Sequence, residues 1–502
     1  MKNKTIFSRL LISACVMTGI TMTSCDDFLD ITPRDQKVVS TVEDYRDVMA
    51  SFMYYLKTPD MPRQENVFGV DAYTVPFVTT VHGNLGIYTG ETNINNNSSI
   101  YFDRTHGEYT LTGKNIQSWL MTNDEAWRQY YAFLGPINLI INEIDGATGN
   151  NEDIRHYVKG EALIWRAYAY FKLLQYYSPY KNNDLGVPVY LTPQLEIGTA
   201  MPPRDTQRTV FTRIIDDCNE ALDLLELTNS NEWNFLWTRK NITAFLATVY
   251  TWKAMSGAAD TDDWENAGKY ASEAMQGRHL ASSSAVLRQM FDCSAQAYLS
   301  AFNNDEAFVR LMDGEYSTVC DMYEAYLEGN VSDGRISRVY ASMFGDDDIR
   351  TSVWLRDKTY NNKYNLMGEN GRCRGCLVPF RLAEMYLIKA EACCRQGKIG
   401  DATTVMNDFY ASRYTSPRQV PADAASLLSA IIDERTREFY HEGDFRWLDM
   451  KRLGVELERT VAGERLKLTS NDFRYNFPIP AREMKLNKNM VQNPGWESII
   501  IF

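Results

Sequence analysis

A chain of 502 residues with 44% hydrophobic and 12% aromatic residues can bury a large core, which argues against disorder. Its formal net charge of −13, with no basic tract, argues against nucleic-acid binding. Beyond the first residues no segment reaches the roughly 18 consecutive apolar residues of a membrane-spanning helix, so any membrane attachment falls to a covalent lipid.

Residues 1–24 read as a signal peptide. Lys2, Lys4 and Arg9 form a basic n-region, and Leu10 to Ile20 is an apolar stretch too short to span a bilayer. Met22-Thr23-Ser24-Cys25 places small or polar residues before a cysteine, as a lipoprotein signal peptidase requires. Cys25 is the expected lipidation site and mature N-terminus, carrying palmitate-type acylation. The alternative is an ordinary secretory signal with a chance cysteine. Loss of the three cations takes the mature chain from −13 to −16.

The next expected unit, residues 25–276, opens with a tract of loop composition at 66–113. It holds Tyr73, Tyr88 and Tyr101 among glycines, with Asn84, Asn93 and Asn95 as polar neighbours. Helical periodicity then takes over. The spacing predicts a helix from Trp127 to Ile144 and a second from Ile154 to Tyr176, packed antiparallel. A third runs from Val210 to Leu225 and a fourth from Ile242 to Met255. Asp262 and Asp263 are expected to cap a fifth. That fifth helix, Trp264-Glu-Asn-Ala267-Gly268-Lys-Tyr-Ala271, resembles the first half of a tetratricopeptide repeat, in which helix pairs stack because none can bury its apolar face alone. Trp119, Trp127 and Trp264 fall in or beside helical patterns and read as core.

Residues 277–378 interrupt the pattern. Tyr298, Tyr316, Tyr323, Trp354 and Tyr360 lie there among Ser, Gly, Asn and Asp, with a short helical piece at Asp321 to Leu327. A long irregular tract on a rigid scaffold usually has a function. Exposed aromatics in such tracts suit sugars, whose apolar faces pack on rings while amides reach the hydroxyls. The ten candidate ligand-binding residues are therefore Tyr73, Asn84, Tyr88, Asn93, Tyr101, Tyr298, Tyr316, Tyr323, Trp354 and Tyr360. Packing of each ring against the helical body is the competing reading.

Residues 379–502 resume the helices at Phe380 to Arg395, Ile399 to Ser412 and Leu427 to Tyr440. Glu434, Glu438 and Glu442 recur every fourth residue, as side-chain pairing along one helix face would use, before a capped end at Gly443. A catalytic carboxylate pair is disfavoured, since two glutamates one turn apart do not face each other across a substrate. His441 has no partner motif for metal. Cys373-Arg-Gly-Cys376 reads as loop thiols or a local disulfide, and Cys393 and Cys394 as small buried residues. Asp346-Asp347-Asp348 reads as a solvated turn, with calcium as the alternative; no cofactor is expected.

Several stretches together resemble the SusD/RagB family of outer-membrane nutrient-binding lipoproteins. They are Cys25-Asp-Asp-Phe-Leu-Asp30, then Gly160-Glu-Ala-Leu-Ile-Trp-Arg166 running on to Phe171, with Gly186-Val-Pro-Val-Tyr190 downstream. Phe380-Arg381-Leu-Ala-Glu384 to Ala392, Glu434 to Arg452, Phe477-Pro-Ile-Pro480 and Gln492-Asn-Pro-Gly-Trp496 complete the set. Asp444 and Trp496 depart mildly from the family's pattern. The resemblance implies a mostly α fold of TPR-like antiparallel helix pairs, forming a superhelical scaffold with long loop insertions. It also implies a lipid-anchored, surface-exposed outer-membrane protein that binds oligosaccharide or polysaccharide for a SusC-like TonB-dependent transporter, without catalysis. A peptide ligand, as in the RagB branch, and a surface glycoside hydrolase are the alternatives.

Overall fold

The structure is a computed structural model that describes residues 39–57, 100–102, 109–111, 124–193, 201–227, 237–291, 305–312, 338–358, 360–361, 363, 376–440, 442, 444–461 and 464–498. It is mostly helical. Helix α1, Val42–Lys57, is fixed at its start by reciprocal bonds: Asp44 accepts from the Ser40 and Thr41 amides, and Thr41 Oγ1 accepts from the Asp44 amide. A short antiparallel ribbon, β1 Ile100–Phe102 with β2 Tyr109–Leu111, precedes α2, Asp124–Glu143. The turn through Thr148 folds the chain back into α3, Glu152–Tyr177, capped by Asn151 Oδ1 on the Ile154 amide.

Helix α3 is buried over most of its circumference from Gly160 onward, so it is the central helix of the body rather than a surface one. Against it stacks α4, Gln207–Glu226, followed by α5, Arg239–Lys253, and α6, Asp263–Met275. Thr206 and Thr238 cap α4 and α5 by accepting from the Thr209 and Asn241 amides. At α6 the cap differs from expectation. Asp262 makes no side-chain cap bond, whereas Asp263 is buried and binds Lys253 Nζ at 2.8 Å and the Asp260 amide at 2.7 Å. An available buried cation diverts the second aspartate to tie α6 to α5.

After α7, Ser284–Phe291, the strand β3, Ala307–Met312, pairs antiparallel with a strand far along the chain, Cys376–Arg381. Between them lie the short helices α8, Arg338–Ala341, and α9, Thr351–Trp354, and the small pair β4, Leu355–Arg356, with β5, Tyr360–Asn361; Cys376–Arg381 is therefore β6. Helical periodicity places Phe380 and Arg381 in the following helix, but both are extended in β6, which contains Pro379. The helix α10 starts at Leu382 and ends at Arg395. Then come α11, Ile399–Arg413, and α12, Ala424–Glu438, capped by Asp423. Helix α12 ends at Glu438, short of the expected stop; His441 and Gly443 lie outside the described residues. Helix α13, Phe445–Leu453, the hairpin β7 Leu457–Val461 with β8 Glu464–Leu468, and the six-residue α14, Ala481–Leu486, complete the chain.

The two ends of the sequence share one core. Tyr168, Trp237 and Phe245 surround Phe380 of β6, with ring centroids 5.7 Å apart for both Trp237–Phe380 and Phe245–Phe380. Helix α6 lies on α10 closely enough that a Cβ at Gly268 would meet Ala392 at 3.4 Å. Most telling is the C-terminal end of α3, whose last carbonyls cannot bond within the helix. Lys451 Nζ donates to Gln175 O at 2.5 Å and Ser178 O at 2.9 Å, the Phe477 amide to Tyr176 O, and Asn493 Nδ2 to Tyr177 O at 2.8 Å. Residues more than 270 positions later thus cap the central helix, and the nearer Arg204 adds a cationic donor 3.1 Å from Tyr177 O.

Candidate functional site

The insertion that carries the candidate aromatics is rooted in a buried ionic cluster. Five acids, Glu306, Asp348, Glu434, Glu438 and Glu442, meet five bases, Arg350, Lys363, Arg381, Arg413 and Arg437. All but Arg437 are buried. Arg350, at the start of α9, reaches Asp348 at 2.7 Å, Glu434 at 2.5 Å and Glu438 at 2.8 Å. Arg413 at the end of α11 joins Glu306 at 2.5 Å to Glu438 at 3.0 Å, and also donates to Ala281 O. Arg381 bridges Glu306, Glu438 and Glu442. Burial works against the Glu438 charge, but Arg413, Arg381 and Arg350 override it and hold the carboxyl well below its ordinary range.

Expected surface pairing along α12 is replaced here by long-range pairing in the interior. Glu434 and Glu438 are fully buried, and apart from Arg437 their cationic partners come from α9, β6 and α11. A fourfold spacing of charge cannot by itself say whether the face meets water or a set of arginines. Both carboxylates are taken up by guanidinium groups, Glu434 by Arg350 and Arg437 and Glu438 by Arg350, Arg381 and Arg413.

Lys363 anchors the chain just after β5. Its ammonium bonds Glu438 O and Tyr440 O, each at 2.9 Å, pairs with Glu442, and lies 3.8 Å from the centroid of the Trp354 ring. Burial pushes it down to about 8, with Glu442 acting in the opposite sense. Trp354 is therefore corrected. It is 0% exposed, covered by Lys363 on its face and edged by Phe344, and it is core rather than a ligand platform. The irregular composition around it concealed a folded root.

Among the other candidates, Tyr101 lies in β1, opposite Thr110 of β2, and Tyr360 in β5, opposite Arg356. Cys25, Tyr73, Asn84, Tyr88, Asn93, Tyr298, Tyr316 and Tyr323 lie outside the described residues, as do Asn95, Trp119, Cys373 and Asp321 to Leu327. The frame shows where three of these tracts attach. Residues 58–99 run from the end of α1 to β1, residues 292–304 from α7 to β3, and residues 313–337 from β3 to α8. The β3–β6 ribbon, at which the last two begin or end, contributes Arg381 to the ionic cluster, with Glu306 just before β3.

The acidic triplet is spoken for. Asp348 binds Arg350 in the interior, Asp347 lies 3.6 Å from Arg418, and Asp346 pairs with Lys358. Among the described residues no group of three or more His, Cys, Asp or Glu side chains could hold a metal. Cys394 is buried, with its thiol on Ala424 O, and Cys393 is half-buried. Trp127 is core, while Trp264 is partly covered and stacks under Arg395. Sequence reasoning missed Glu306, Arg350, Lys363 and Arg413 as the frame of the site. All four sit among polar or charged neighbours in the sequence, so nothing local marks them as interior.

Residues 27–251 match a family profile described as starch-binding associating with outer membrane, and residues 320–496 match one described as SusD family. The chain belongs to the SusD/RagB family. Starch-binding protein SusD from Bacteroides thetaiotaomicron is 40% identical over 123 residues, which cover 24% of this chain and 21% of that protein. The match thus spans about a fifth of that relative's length. SusD-like protein P38 from Formosa agariphila is 23% identical over 433 residues, covering 76% of this chain and 82% of the relative. A solved SusD-like carbohydrate binding protein from Bacteroides vulgatus superposes with a TM-score of 0.67 at 17% identity, covering 90% and 97% of the two chains, which establishes a common fold. The SusD/RagB motifs read from the sequence now have physical roles. Arg381, Glu434, Glu438 and Glu442 form the ionic root. Arg166 pairs with the buried Asp217 at 2.8 Å, and Gly186 leaves room for Asp205 O, which a Cβ would meet at 2.8 Å. Asn493 holds the C-terminal segment against α3 through Tyr177 O, and Gln492 pins it to the Ile479 backbone. No helix among the described residues is long and apolar enough to cross a membrane.

Proposed function

We propose that this protein is an outer-membrane lipoprotein, acylated at Cys25 and exposed at the cell surface. There it binds oligosaccharide or polysaccharide and delivers it to a SusC-like TonB-dependent transporter. The observation that carries the reading is the match to SusD-family profiles in both halves of the chain, one of them described as starch-binding and associating with the outer membrane. The fold supports it physically. A helical body with a continuous core offers rigid roots, and aromatic loops hung from such roots lose less conformational freedom on binding.

The protein acts by binding rather than by catalysis, and its ligand contacts are Tyr73, Asn84, Tyr88, Asn93, Tyr101, Tyr298, Tyr316, Tyr323 and Tyr360. Rings in these loops would pack on sugar faces while the amides take hydroxyls. Calorimetry of the mature protein with maltooligosaccharides and other oligosaccharides, set against peptides of similar size, tests the ligand. Heat with an oligosaccharide alone supports the proposal. Heat with peptides alone makes the ligand a peptide, and release of reducing sugar makes the protein a hydrolase. Co-purification of a TonB-dependent barrel from the native membrane tests the delivery step.

A further inference from the structure

Several exposed cations on the described surface answer an acid, as Arg208 does Asp260, Arg239 does Glu226 and Lys467 does Glu456. Arg482, Lys485 and Lys488 do not. All three are exposed, and no ion pair or hydrogen bond joins them to another residue. The only acid between residues 477 and 496 is Glu483, and it is turned toward the body, held by the Trp127 and Asn487 side chains. Interleaved with the cations are Leu486, 61% exposed, and Val491, 56% exposed. On a chain of net charge −13 this segment is locally cationic and apolar at once.

The segment is held rigidly. Asn487 Nδ2 donates to Pro202 O at 2.7 Å, Gln492 makes paired bonds with the Ile479 backbone, and Asn493 bonds Tyr177 O, Phe477 O and Arg204. The path of the chain is therefore fixed, with Arg482, Lys485, Leu486, Lys488 and Val491 exposed along it. What would cover them must supply negative charge and an apolar layer beneath it. We infer that the C-terminal segment seats on an anionic lipid headgroup layer, with Arg482, Lys485 and Lys488 on phosphates and Leu486 and Val491 at the acyl boundary. An acidic protein face would also attract the cations. Lysine, however, is depleted in protein interfaces, and two of the three cations here are lysines.

Anchor geometry agrees. The chain enters the fold at Val39, where Ser40 and Thr41 pair with Thr148 just before α3, whereas Val491 and Asn493 lie at the other end of α3. A helix of 26 residues is about 39 Å long. The fourteen peptide steps from Cys25 to Val39 reach at most about 50 Å. One bilayer surface can thus hold the acyl chain and the C-terminal segment together, fixing which side of the protein faces outward. The inference rests on the reading of Cys25 as a lipid anchor.

The test is flotation of the mature chain carrying Cys25→Ser, produced without its leader, with phosphatidylcholine vesicles or the same vesicles containing phosphatidylglycerol. Partition into the anionic vesicles alone, weakened by salt, is expected. Arg482→Glu/Lys485→Glu/Lys488→Glu should lower it about a hundredfold and Leu486→Ser/Val491→Ser about tenfold, both with unchanged thermal melting. Equal partition into both vesicles, no partition, or an unaffected charge-reversal variant overturns the inference. So does a charge reversal that abolishes capture of a barrel protein while leaving flotation intact. Palmitate labelling at Cys25 is scored separately: a labelled protein whose Cys25→Ser form does not float sinks this inference alone, and an unlabelled one sinks the anchor.

Discussion

The two regions that hold this molecule together do so by opposite chemistry. Around the middle of α3, Trp165, Tyr168, Trp237, Phe245 and Phe380 meet edge to face or tilted, and burial of apolar area supplies the stability. Under the insertion, Arg350, Arg381 and Arg413 meet Glu306, Glu434 and Glu438 in the interior, where desolvation cancels much of the Coulomb gain. Edge-to-face ring contacts add only about 1 kcal/mol each beyond the area they bury, so no single pair decides the geometry. A fork of guanidinium bonds admits one geometry. The contrast teaches that apolar burial supplies the stability of the body, whereas the network of Glu306, Arg350, Arg381, Arg413 and Glu438 admits one arrangement.

The comparison breaks hardest at Arg381. Replacement by Met leaves Glu306, Glu438 and Glu442 short of a cation, and urea unfolding should show a loss of about 3–5 kcal/mol. A smaller loss, near that of an apolar substitution, would mean that the cluster is wet and loosely held.

Acid should act on a second buried ion pair outside that cluster, Glu391 of α10 with Arg452 of α13 at 2.8 Å. Burial raises the Glu391 carboxyl, but Arg452 and Arg395 override it and hold it at about 2, against an ordinary value of 4.5. The folded form therefore binds fewer protons than the unfolded chain between these values. The stabilisation is complete above about pH 4.5 and is lost as pH falls toward 2, amounting to about 3 kcal/mol. Glu391→Gln should flatten the urea midpoint across that window, and an unaltered acid limb would assign the loss to other carboxylates.

The trans cap of α3 comes next. Asn493→Ala removes donors to Tyr177 O and Phe477 O and an acceptor for Arg204, and should cost about 2 kcal/mol, with faster amide exchange at residues 477–493. Smallest is the aromatic side. Trp165→Phe keeps most of the packed area and loses the indole bond to Glu161, so thermal unfolding should register about 1 kcal/mol. A loss as large as that for Arg381 would erase the distinction between the two regions.

Helix positions were largely legible because they follow from local spacing. The expected Ile154–Tyr176 and Val210–Leu225 lie within the observed α3 and α4, since apolar residues at every third or fourth position suit a buried face wherever the partner sits. The errors fell where a distant partner intervened. Asp263 turned to Lys253, Phe380 was drawn into the β3 ribbon, and Trp354 was covered by Lys363. Tyr101 and Tyr360 lie in short paired strands within tracts of loop composition, because a two- or three-residue pairing leaves too little periodicity to detect.

By itself the sequence determined the helical periods and the motifs of the SusD/RagB family, both of which depend on residues within a few positions of one another. Tertiary structure alone decided which charges went inside and what closed the central helix. Arg413 finds Glu306 more than 100 positions away, and Lys451 finds Gln175 O more than 270 positions away. Burying a charge is favourable only once its partners have arrived, and no local pattern of residues records when they do.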